Sequence, residues 1–540
     1  MTDAAPPAPL VHPPLPVPRA LAYMGASVML ALSQGLGQGF VSANIPQFAG
    51  DLGTTTTQAS WLVAAYMIPR ASLPLLLIKI RTQYGLRRFA ELGIIAYVVV
   101  AFASVWISDF RSAVVVQALS GAAAAPLSTL AFMYMLEPLP QQWKMRLGLP
   151  AAMAVMMSGP TLARVVSPAL IGDGGLTGVH LTALGMAMVS LMLVFHLPLR
   201  PVPHQKVIQT LDFVSFALIG FGFAGLTIGF VMGPIHYWTD APWIGMLLAA
   251  SAASLAGAVA VELNRAAPLL DIRWLVSPAM LHLTATLFLF RLILSEQSTG
   301  APRMFQALGV APAQMTGLFA VIVAASLLGG LACVGWMRPD RVPALHLTAL
   351  LLIAAGAFMD AQATIDTRPQ QMIVSQTLIG FAGMLFLPPA MMAGLVQALA
   401  RGPQYLLSFV IVFISTQSLG GVLGSGLFTT FINHRQAAHY ATLTEQLAAS
   451  DPATVQAIAR AAAALTAEIP DAAARGAQAV QQVAQDASAQ SWVMAYNDAY
   501  ALTALIALAA ASALVLHLLR DRLALRMAPQ PDPNPCKKKT

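Results

Sequence analysis

The chain has 540 residues, of which 57% are hydrophobic and only 9% are charged, and its formal net charge is +7. Soluble domains carry about 25% charged residues, so this composition excludes an ordinary soluble globular protein. The apolar runs repeatedly reach the ~20 residues that a helix needs to cross a hydrocarbon core of ~30 Å. The composition therefore predicts a polytopic protein embedded in a lipid bilayer.

Fourteen apolar segments of suitable length follow one another along the chain. Lipid offers no hydrogen-bond partner to an unpaired backbone group, so each segment is predicted to be a helix and the fold class to be all-α. Most connections are short, which favours antiparallel neighbours. The predicted spans are 20–46, 57–80, 90–108, 111–135, 147–171, 177–197, 211–233, 241–262, 278–300, 314–337, 344–364, 371–398, 405–432 and 492–519.

Basic residues concentrate in alternate short loops, which is a positive-inside bias and predicts that these loops and both chain ends are cytoplasmic. They do not interleave with aromatic residues on one surface, so no nucleic-acid partner is expected. Residues 1–19 are Pro-rich without an apolar core and are predicted to be a disordered cytoplasmic segment, whereas 520–540 form a basic cytoplasmic tail. The basic loop positions are Arg81, Arg87, Arg88, Lys144, Arg146, Arg200, Lys206, Arg265, Arg273, Arg338, Arg341 and Arg401.

One connection, 433–491, is much longer than the others and is predicted to be external. Asp451 and Pro452 are typical of a helix start. The following apolar residues recur with a 3-4-3-4 spacing up to Ile469, and such a stripe needs a partner helix. Pro470 then ends this helix, and a second one is predicted to follow. The two arms could pack on each other or dock an external partner protein, and both can hold.

Three stretches carry a family resemblance: VELNRAAPLLDIRWL at 261–275, QTLIGFAGMLFLPPA at 376–390, and STQSLGGVLGSGLFTTFINHRQAAHYATLTEQL at 415–447. They resemble the fourteen-span drug:proton antiporters of the major facilitator superfamily, of the EmrB/QacA type. The resemblance extends over nearly the whole chain in span order.

The resemblance implies the major facilitator fold, in which two six-helix bundles and an inserted helix pair surround a cavity that opens alternately to each side. It implies a proton-driven exporter of small organic compounds, without a cofactor, in a bacterial inner membrane. EmrB-like members work with a periplasmic adaptor (a membrane fusion protein) and an outer-membrane channel, and the long loop points to that branch. The implied parts are an N-terminal bundle (20–197), the inserted pair (198–262), spans 9–13 (263–432), the loop (433–491) and span 14 (492–519).

The motifs of this family are incomplete here. Gly37 stands where the first span of the family has an acidic residue. The remnants are Asn44, Ile45 and Pro46 in the first span, Gly85, Arg87 and Arg88 after the second, Gln117 at the arginine position of the fourth, and Gly159 and Pro160 in the fifth. Either the coupling residues have moved, or the chain is not a proton antiporter.

A few ionisable residues are predicted to lie deep within the spans. An ionised residue at the centre of a spanning helix costs about 2.5–3.5 kcal/mol on insertion scales, so passive lipid-facing positions are not expected. Three arginines and Glu296 around one cavity would make a net positive site, which favours an organic anion over lipophilic cations. The candidate substrate-binding residues are Arg70, Arg164, Arg291, Gln117, Asn44 and Gln297.

Arg291 and Glu296 lie five residues apart, which places them about 140° apart around a helix. Each is therefore predicted to meet a different neighbour. One interpretation is that Glu296 neutralises an arginine of another span and orients the bundle. The other is that Glu296 carries the transported proton, because a carboxyl group in a dehydrated cavity binds a proton more readily.

Prolines are predicted to shape two spans near the cavity. Pro160 and Pro168 flank Arg164 and free two backbone carbonyl groups, which suits a gate or an anion site. Alternatively, they only shape the helix while Arg164 pairs with an acid. Pro388 and Pro389 are predicted to break the twelfth span.

Several functional classes remain after these observations. A secondary exporter leads, and uniport or uptake of an organic anion is its main alternative because the first-span acid is missing. A membrane-embedded enzyme is disfavoured since the sequence has no HExxH motif and only two distant cysteines, so no metal site is expected. A sensor or scaffold that uses the long loop is the remote alternative. No ATP-binding motif occurs, so ion gradients are expected to supply the energy.

Overall fold

The computed structural model describes residues 15–172, 174–200, 206–265, 268–447 and 451–527. Within these ranges the chain is helical, apart from turns and one isolated bridge between Gly172 and Gly175. This confirms the all-α fold class. The predictions for most of the N-terminal segment 1–19 and for the tail beyond 527 fall outside the described residues.

Fourteen long helices account for most of the structure, and shorter helices connect them. The long helices are α1 (Val17–Ala43), α2 (Thr56–Ser72, continued by Pro74–Tyr84), α3 (Leu86–Ala103), α4 (Phe110–Leu136), α5 (Leu149–Leu170), α6 (Thr177–His196), α7 (Thr210–Met232), α8 (Pro242–Leu263), α9 (Pro278–Ile293, continued by Glu296–Gly300 and Ala301–Ala307), α10 (Thr316–Trp336), α11 (Val342–Asp360), α12 (Ile373–Arg401), α13 (Pro403–Gln446) and α14 (Ala472–Met527). The connecting helices are Ile45–Asp51, Gln141–Trp143, Ile272–Leu275 and Pro452–Ala464.

Thirteen of these helices are long and apolar enough to cross a membrane as they stand, and α2 brings the number to fourteen if its two halves form one span. The halves of α2 meet at an angle of 46°. Pro74 begins the second half, and because proline has no N–H, the carbonyl of Arg70 loses its partner four residues on. The bend in α2 therefore follows from the local sequence.

The helices divide into two groups of six with a pair between them. In the first group α1 packs on α4, α5 and α6, α2 packs on α4, and α3 packs on α4 and α6. In the second group α12 packs on α10 and α11, α14 packs on α11 and α13, and α9 packs on α13. The groups meet where α5 contacts α10 and where α2 contacts α13, and α7 of the pair contacts both α2 and α13. This is the arrangement of the major facilitator fold.

If the two halves of α2 form one span, the number of spans is even, and the start of α1 and the end of α14 lie on the same face of the membrane, called here the terminal side. The connection between α13 and α14 lies on the opposite face, called here the loop side. Within the bundles, glycines allow close helix contact: a Cβ on Gly159 of α5 would lie 2.6 Å from the Cα of Gly35 of α1, and a Cβ on Gly121 of α4 would lie 2.0 Å from the carbonyl oxygen of Tyr66 on α2. Only glycine permits such separations.

A buried ion network fastens α7 and α8 to α2 on the terminal side. Asp212, in the first turn of α7, accepts hydrogen bonds from Lys79 of α2 at 2.7 Å and from Arg265, just after α8, at 2.6 Å. Arg265 also donates to Glu262 at 2.8 Å, and the Ser215 hydroxyl donates to the same carboxylate. Two positive charges thus balance two negative charges in a site from which water is nearly excluded.

On the loop side, the same helix pair forms hydrogen bonds with α13. Trp238, in the turn between α7 and α8, donates its indole N–H to the Thr430 hydroxyl at 2.9 Å. Asn433 donates to the carbonyl of Pro234 at 2.9 Å. The inserted pair therefore bridges the two bundles, with polar contacts to the first bundle on the terminal side and to the second bundle on the loop side.

The long loop is largely built by continuations of the flanking spans. Both flanking helices run past the predicted ends of spans 13 and 14, at 432 and 492: α13 continues to Gln446 and α14 already begins at Ala472. Alanine and glutamine are good helix formers, so nothing in the sequence stops either helix at the membrane surface. The helix Pro452–Ala464, capped by the Asp451 side chain, packs on the projecting part of α14.

The prolines of α12 do not break it, contrary to the prediction. Pro388 and Pro389 are buried inside a helix that continues without interruption to Arg401. The φ angle that proline requires is helical, and tight packing on α10 and α11 stabilises the helix against two missing backbone hydrogen bonds. Pro160 and Pro168 likewise lie inside the continuous helix α5.

Candidate functional site

A cavity of about 600 Å³ lies between the two bundles. Its walls come from α1, α2, α5, α7, α9 and α13, together with residues of α4 and α10. Toward the loop side the walls include helix ends, such as Ala43, Thr56 and Asn433, whereas toward the terminal side they reach only mid-membrane residues such as Pro74 and Met153. The cavity therefore opens toward the loop side and is closed toward the terminal side.

Four arginines line this cavity: Arg70, Arg164, Arg291 and Arg303. No aspartate, glutamate, lysine or histidine is among the described residues of its wall. Within the described part of the chain, none of the four forms an ion pair. The wall thus carries four positive charges that the described residues around the cavity do not neutralise.

Each guanidinium is held by neutral groups. Arg70 donates to the Tyr66 hydroxyl at 3.3 Å and lies 5.8 Å from the centre of that ring. Arg164 lies 5.4 Å from the centre of the Phe319 ring, on α10 of the opposite bundle. These contacts orient the arginines and leave their charge available to a ligand.

The other two arginines come from α9 and face α13. Arg303 donates to the Thr429 hydroxyl at 3.0 Å. Arg291 lies against Gly420 and Gly421, and a Cβ on Gly421 would come within 2.4 Å of its Nη2 atom. The absence of a side chain at position 421 makes room for this guanidinium, and its Nε atom is buried without a hydrogen-bond partner.

Glu296 is not part of the cavity wall. Its side chain is fully buried on the other face of α9, as the five-residue spacing from Arg291 predicts, and it begins the π-helical turn Glu296–Gly300. Its hydrogen-bond partner is Gln376 of α12, whose Nε2 atom lies 2.9 Å from Oε1 of Glu296. The interpretation that Glu296 neutralises an arginine of another span is therefore wrong for the described residues.

Gln376 also joins Glu296 to a second carboxyl group. Its Nε2 atom lies 2.7 Å from Oδ2 of Asp360, the last residue of α11, and the Ser375 hydroxyl donates to the other oxygen of Asp360. Asp360 is 2% exposed, and its carboxyl group and that of Glu296 accept hydrogen bonds from the same Nε2 atom. We call Glu296, Asp360, Ser375 and Gln376 the acid cluster.

Gln297 connects the acid cluster to the cavity. It lines the cavity, and its Nε2 atom donates to the backbone carbonyl of Gln376 at 2.9 Å. Thr299 of the same π-helical turn also lines the cavity and donates to the Ser425 hydroxyl at 2.9 Å. One turn of α9 thus contacts the acid cluster on one side and the cavity on the other.

Most of the remaining predicted residues lie outside the cavity wall. Asn44 and Gln117 are buried outside the cavity wall, where Asn44 accepts a hydrogen bond from the Ser167 hydroxyl at 3.2 Å. Pro160 lines the cavity and Pro168 does not.

The motif remnant after the second span lies in the turn between α2 and α3, far from the cavity. Gly85 has a φ of 86°, which other residues rarely adopt, and it lets the chain reverse between these helices. Arg87 forms an exposed ion pair with Glu91 at 2.8 Å, and Arg88 follows it in the first turn of α3.

Sequence reasoning missed Arg303, Gln376 and the role of Asp360. Arg303 and Asp360 stand near span ends, where charged residues usually reach water. Gln376 begins one of the stretches that carry the family resemblance, but an isolated glutamine gives no signal of its own. Their positions became evident only when three helices were brought together.

Comparison with known proteins gives a consistent result. No family model matches the chain. It is 23% identical over 454 residues to the MFS-type transporter YhcA of Bacillus subtilis, itself uncharacterized, with 80% of each chain covered. Its fold is similar to that of the human organic anion transporter MFSD10, with a TM-score of 0.54, 12% identity and coverage of 91% of this chain and 100% of the other. It is also similar to the proton:xylose symporter XylE, with a TM-score of 0.50, 12% identity and coverage of 91% and 95%. The helix arrangement and these relatives together support a membrane transporter of the major facilitator type.

Proposed function

We propose that this protein is a secondary transporter that exports anionic or amphipathic organic compounds, such as aromatic acids or acidic drugs. The observation that carries the proposal is the cavity wall, which holds four arginines and, among its described residues, no acidic side chain. A cation in this cavity would meet only repulsion, whereas an anion would compensate charges that are costly to leave alone within a membrane.

The shape of the wall favours an organic anion over a small inorganic one. Apart from the arginines, it combines four phenylalanines and four methionines, among them Phe132, Phe230, Phe413 and Met157, with neutral polar side chains. Such a surface receives an apolar or aromatic body, while a guanidinium binds a carboxylate or sulfonate through two parallel hydrogen bonds. Human MFSD10, one of the fold neighbours, is described as an organic anion transporter, which is the same substrate class.

Export driven by a proton gradient, as in the EmrB/QacA type, is the proposed mode. The basic loops favour cytoplasmic chain ends in a bacterial inner membrane, so the cavity of this structure would open to the outside. One proton crossing 100 mV supplies about 2.3 kcal/mol, enough for a concentration ratio of roughly fifty. The helices that project from the loop side offer a surface for a periplasmic adaptor and, through it, an outer-membrane channel.

One alternative is supported by a specific residue. Gly37 occupies the position of the first-span acid of the family, and a Cβ added there would lie 3.2 Å from the Tyr97 hydroxyl. A uniporter, or an uptake transporter of the same organic anion, would need no acid there. The exporter and these alternatives predict the same cavity chemistry. They differ in the direction of transport and in its coupling to protons.

The test is transport into proteoliposomes with a panel of aromatic carboxylates, sulfonates and lipophilic cations. Arg291→Gln and Arg164→Gln are compared with Arg111→Gln, which changes an exposed arginine at the start of α4. A hydrogen bond to a charged group contributes about 1.5–3 kcal/mol, so each cavity variant should raise the KM for an organic anion by roughly 10- to 100-fold. Arg111→Gln should leave the KM unchanged. Transport of cationic dyes alone, insensitive to the cavity variants, would contradict the proposal.

A further inference from the structure

We propose that Glu296 and Asp360 form the proton-binding site of this transporter, that the pair holds one exchangeable proton, and that Gln376 and the π-helical turn of α9 transmit its state to the cavity. The inference rests on the proposed function and adds to it the place of the coupling ion. That place lies outside the cavity, within the second bundle.

Two carboxyl groups lie close together in the acid cluster. Glu296 is 0% exposed and Asp360 is 2% exposed, and both accept from the single Nε2 atom of Gln376, at 2.9 and 2.7 Å. Two negative charges sharing one neutral donor in an apolar environment repel each other strongly. One shared proton removes a charge and allows one carboxyl group to donate to the other, as in paired aspartates of known acid–base sites.

The acid pair has no compensating cation among its described neighbours. From α14, Tyr500 packs against Gly300 of the π-helical turn and donates to the sulfur of Met304 at 3.7 Å. From α12 the neighbours are the neutral Ser375 and Gln376. Among the described residues, no lysine, arginine or histidine forms an ion pair with Glu296 or Asp360.

The nearest arginines on α9 itself point elsewhere. Arg291 lies against Gly421 and Arg303 donates to Thr429, both on α13. In addition, Oε2 of Glu296 and Oε1 of Gln376 are buried without a hydrogen-bond partner. Oε2 of Glu296 can therefore take a proton. Oε1 of Gln376 is a nearby acceptor whose hydrogen bonding can change when the proton binds.

A chain of contacts leads from the acid pair to the cavity. The Gln376 side chain holds the acid pair, and its backbone carbonyl accepts from Gln297, which lines the cavity. Glu296 and Gln297 are adjacent in a π-helical turn, a local widening of the helix that frequently marks a functional site. A change in the charge of the pair displaces Gln376 or the turn, and either movement alters the position of Gln297 and of the flanking arginines.

The test uses the full-length protein in liposomes, with an aromatic acid that the wild type transports. Three quantities are measured: exchange of labelled substrate without a gradient, uphill transport driven by a pH gradient, and proton flux reported by a trapped pH dye. The variants are Glu296→Gln and Asp360→Asn, and the matched control is Asp498→Asn, a carboxylate on α14 paired with Arg435 at 2.6 Å. Each cluster variant should retain exchange and lose uphill transport and substrate-linked proton flux by at least tenfold, while the control retains all three.

Uphill transport with normal proton flux in both Glu296→Gln and Asp360→Asn would overturn the proposal. If the wild type exchanges none of the organic anions tested, the result would contradict the proposed function instead. The inference has a readout that does not depend on transport: the infrared carbonyl stretch of a protonated carboxyl group in the purified wild type, shifted by deuterium exchange and absent from both variants. Absence of that band from the wild type between pH 6 and 8 would also overturn it.

A further variant tests the transmission. Gln376→Leu leaves both carboxyl groups and removes the bridging amide. It should keep the infrared band and the exchange activity but reduce the number of protons moved per substrate. Unchanged coupling in Gln376→Leu would contradict the proposed path, and if Asp360→Asn does not fold, Asp360→Glu retains the acid at the site and should retain partial coupling.

Discussion

Replacing Asp212 with asparagine should strongly destabilise the protein. Asp212 is fully buried and is the carboxylate shared by Lys79 and Arg265, whose side chains are only 8% and 4% exposed. In the wild type two positive charges face two negative ones, and the variant keeps an unbalanced positive charge in that site. Removing one partner of a buried ion pair costs about 3–5 kcal/mol. Because Lys79 lies near the terminal face and can move toward water, the lower end, about 3 kcal/mol, is expected.

Thermal unfolding in detergent measures this effect. Cys333 is buried, so a thiol-reactive fluorophore labels it only when the protein unfolds. The other cysteine of the chain, Cys536, is replaced by serine in all variants to remove its signal. Asp212→Asn should unfold at a clearly lower temperature. Glu91→Gln, which breaks an exposed ion pair within α3, should unfold close to the wild type.

A double-mutant cycle separates charge balance from a mere loss of contacts. Lys79→Gln combined with Asp212→Asn leaves one arginine and one glutamate, so the network is neutral again. The double variant should therefore be more stable than the sum of the two single effects predicts. An Asp212→Asn variant that unfolds at the same temperature as Glu91→Gln, or strictly additive effects in the cycle, would refute the reasoning.

Three further predictions concern packing, capping and the shape of the cavity. Gly159→Ala should lower the unfolding temperature, because its Cβ would lie 2.6 Å from the Cα of the facing glycine on α1. The control Gly245→Ala, whose added Cβ has no atom within 4 Å, should not lower it. Equal unfolding temperatures of the two variants would contradict this packing argument. Asp451→Ala removes the N-cap of the short helix Pro452–Ala464, which contributes about 1 kcal/mol to the stability of the helix. Amide hydrogen exchange in that helix should therefore accelerate while transport is unchanged. Unaltered amide hydrogen exchange there would contradict the prediction. Gly421→Ala should displace the Arg291 guanidinium, since the added Cβ would lie 2.4 Å from its Nη2 atom. The variant should raise the KM for an organic anion without unfolding the protein. An unchanged KM would show that substrate binding does not depend on this position of the guanidinium.

The exposed apolar residues Val455 and Val480, each 52% exposed, lie on the two helices of the loop that pack together. The two helices of the loop therefore bury only part of each other's apolar surface. Their remaining surface is compatible with the second interpretation of the sequence, a docking site for an external partner.

The sequence by itself determined the class of this protein. Hydrophobic runs of about 20 residues fix the number of spans, because a helix is the one open-ended structure that satisfies its own backbone in lipid. The predicted starts and ends mostly lie within a few residues of the observed ones, except where α13 and α14 continue beyond the membrane. There the helix is no longer limited by hydrophobic thickness, and the alternation of apolar and polar residues does not reveal where the surface lies.

The sequence also determined that charges lie within the membrane, because insertion energies make each buried arginine or acid conspicuous. Only the tertiary structure decided what those charges face. Helical spacing separates Arg291 from Glu296, but it cannot say that one meets a cavity and the other meets Asp360 and Gln376 from two helices that follow more than 60 residues later. Such contacts depend on how helices distant in sequence pack, and the free energy of packing is spread over many apolar residues that no single motif records. For this reason the acid cluster became visible only in the folded chain.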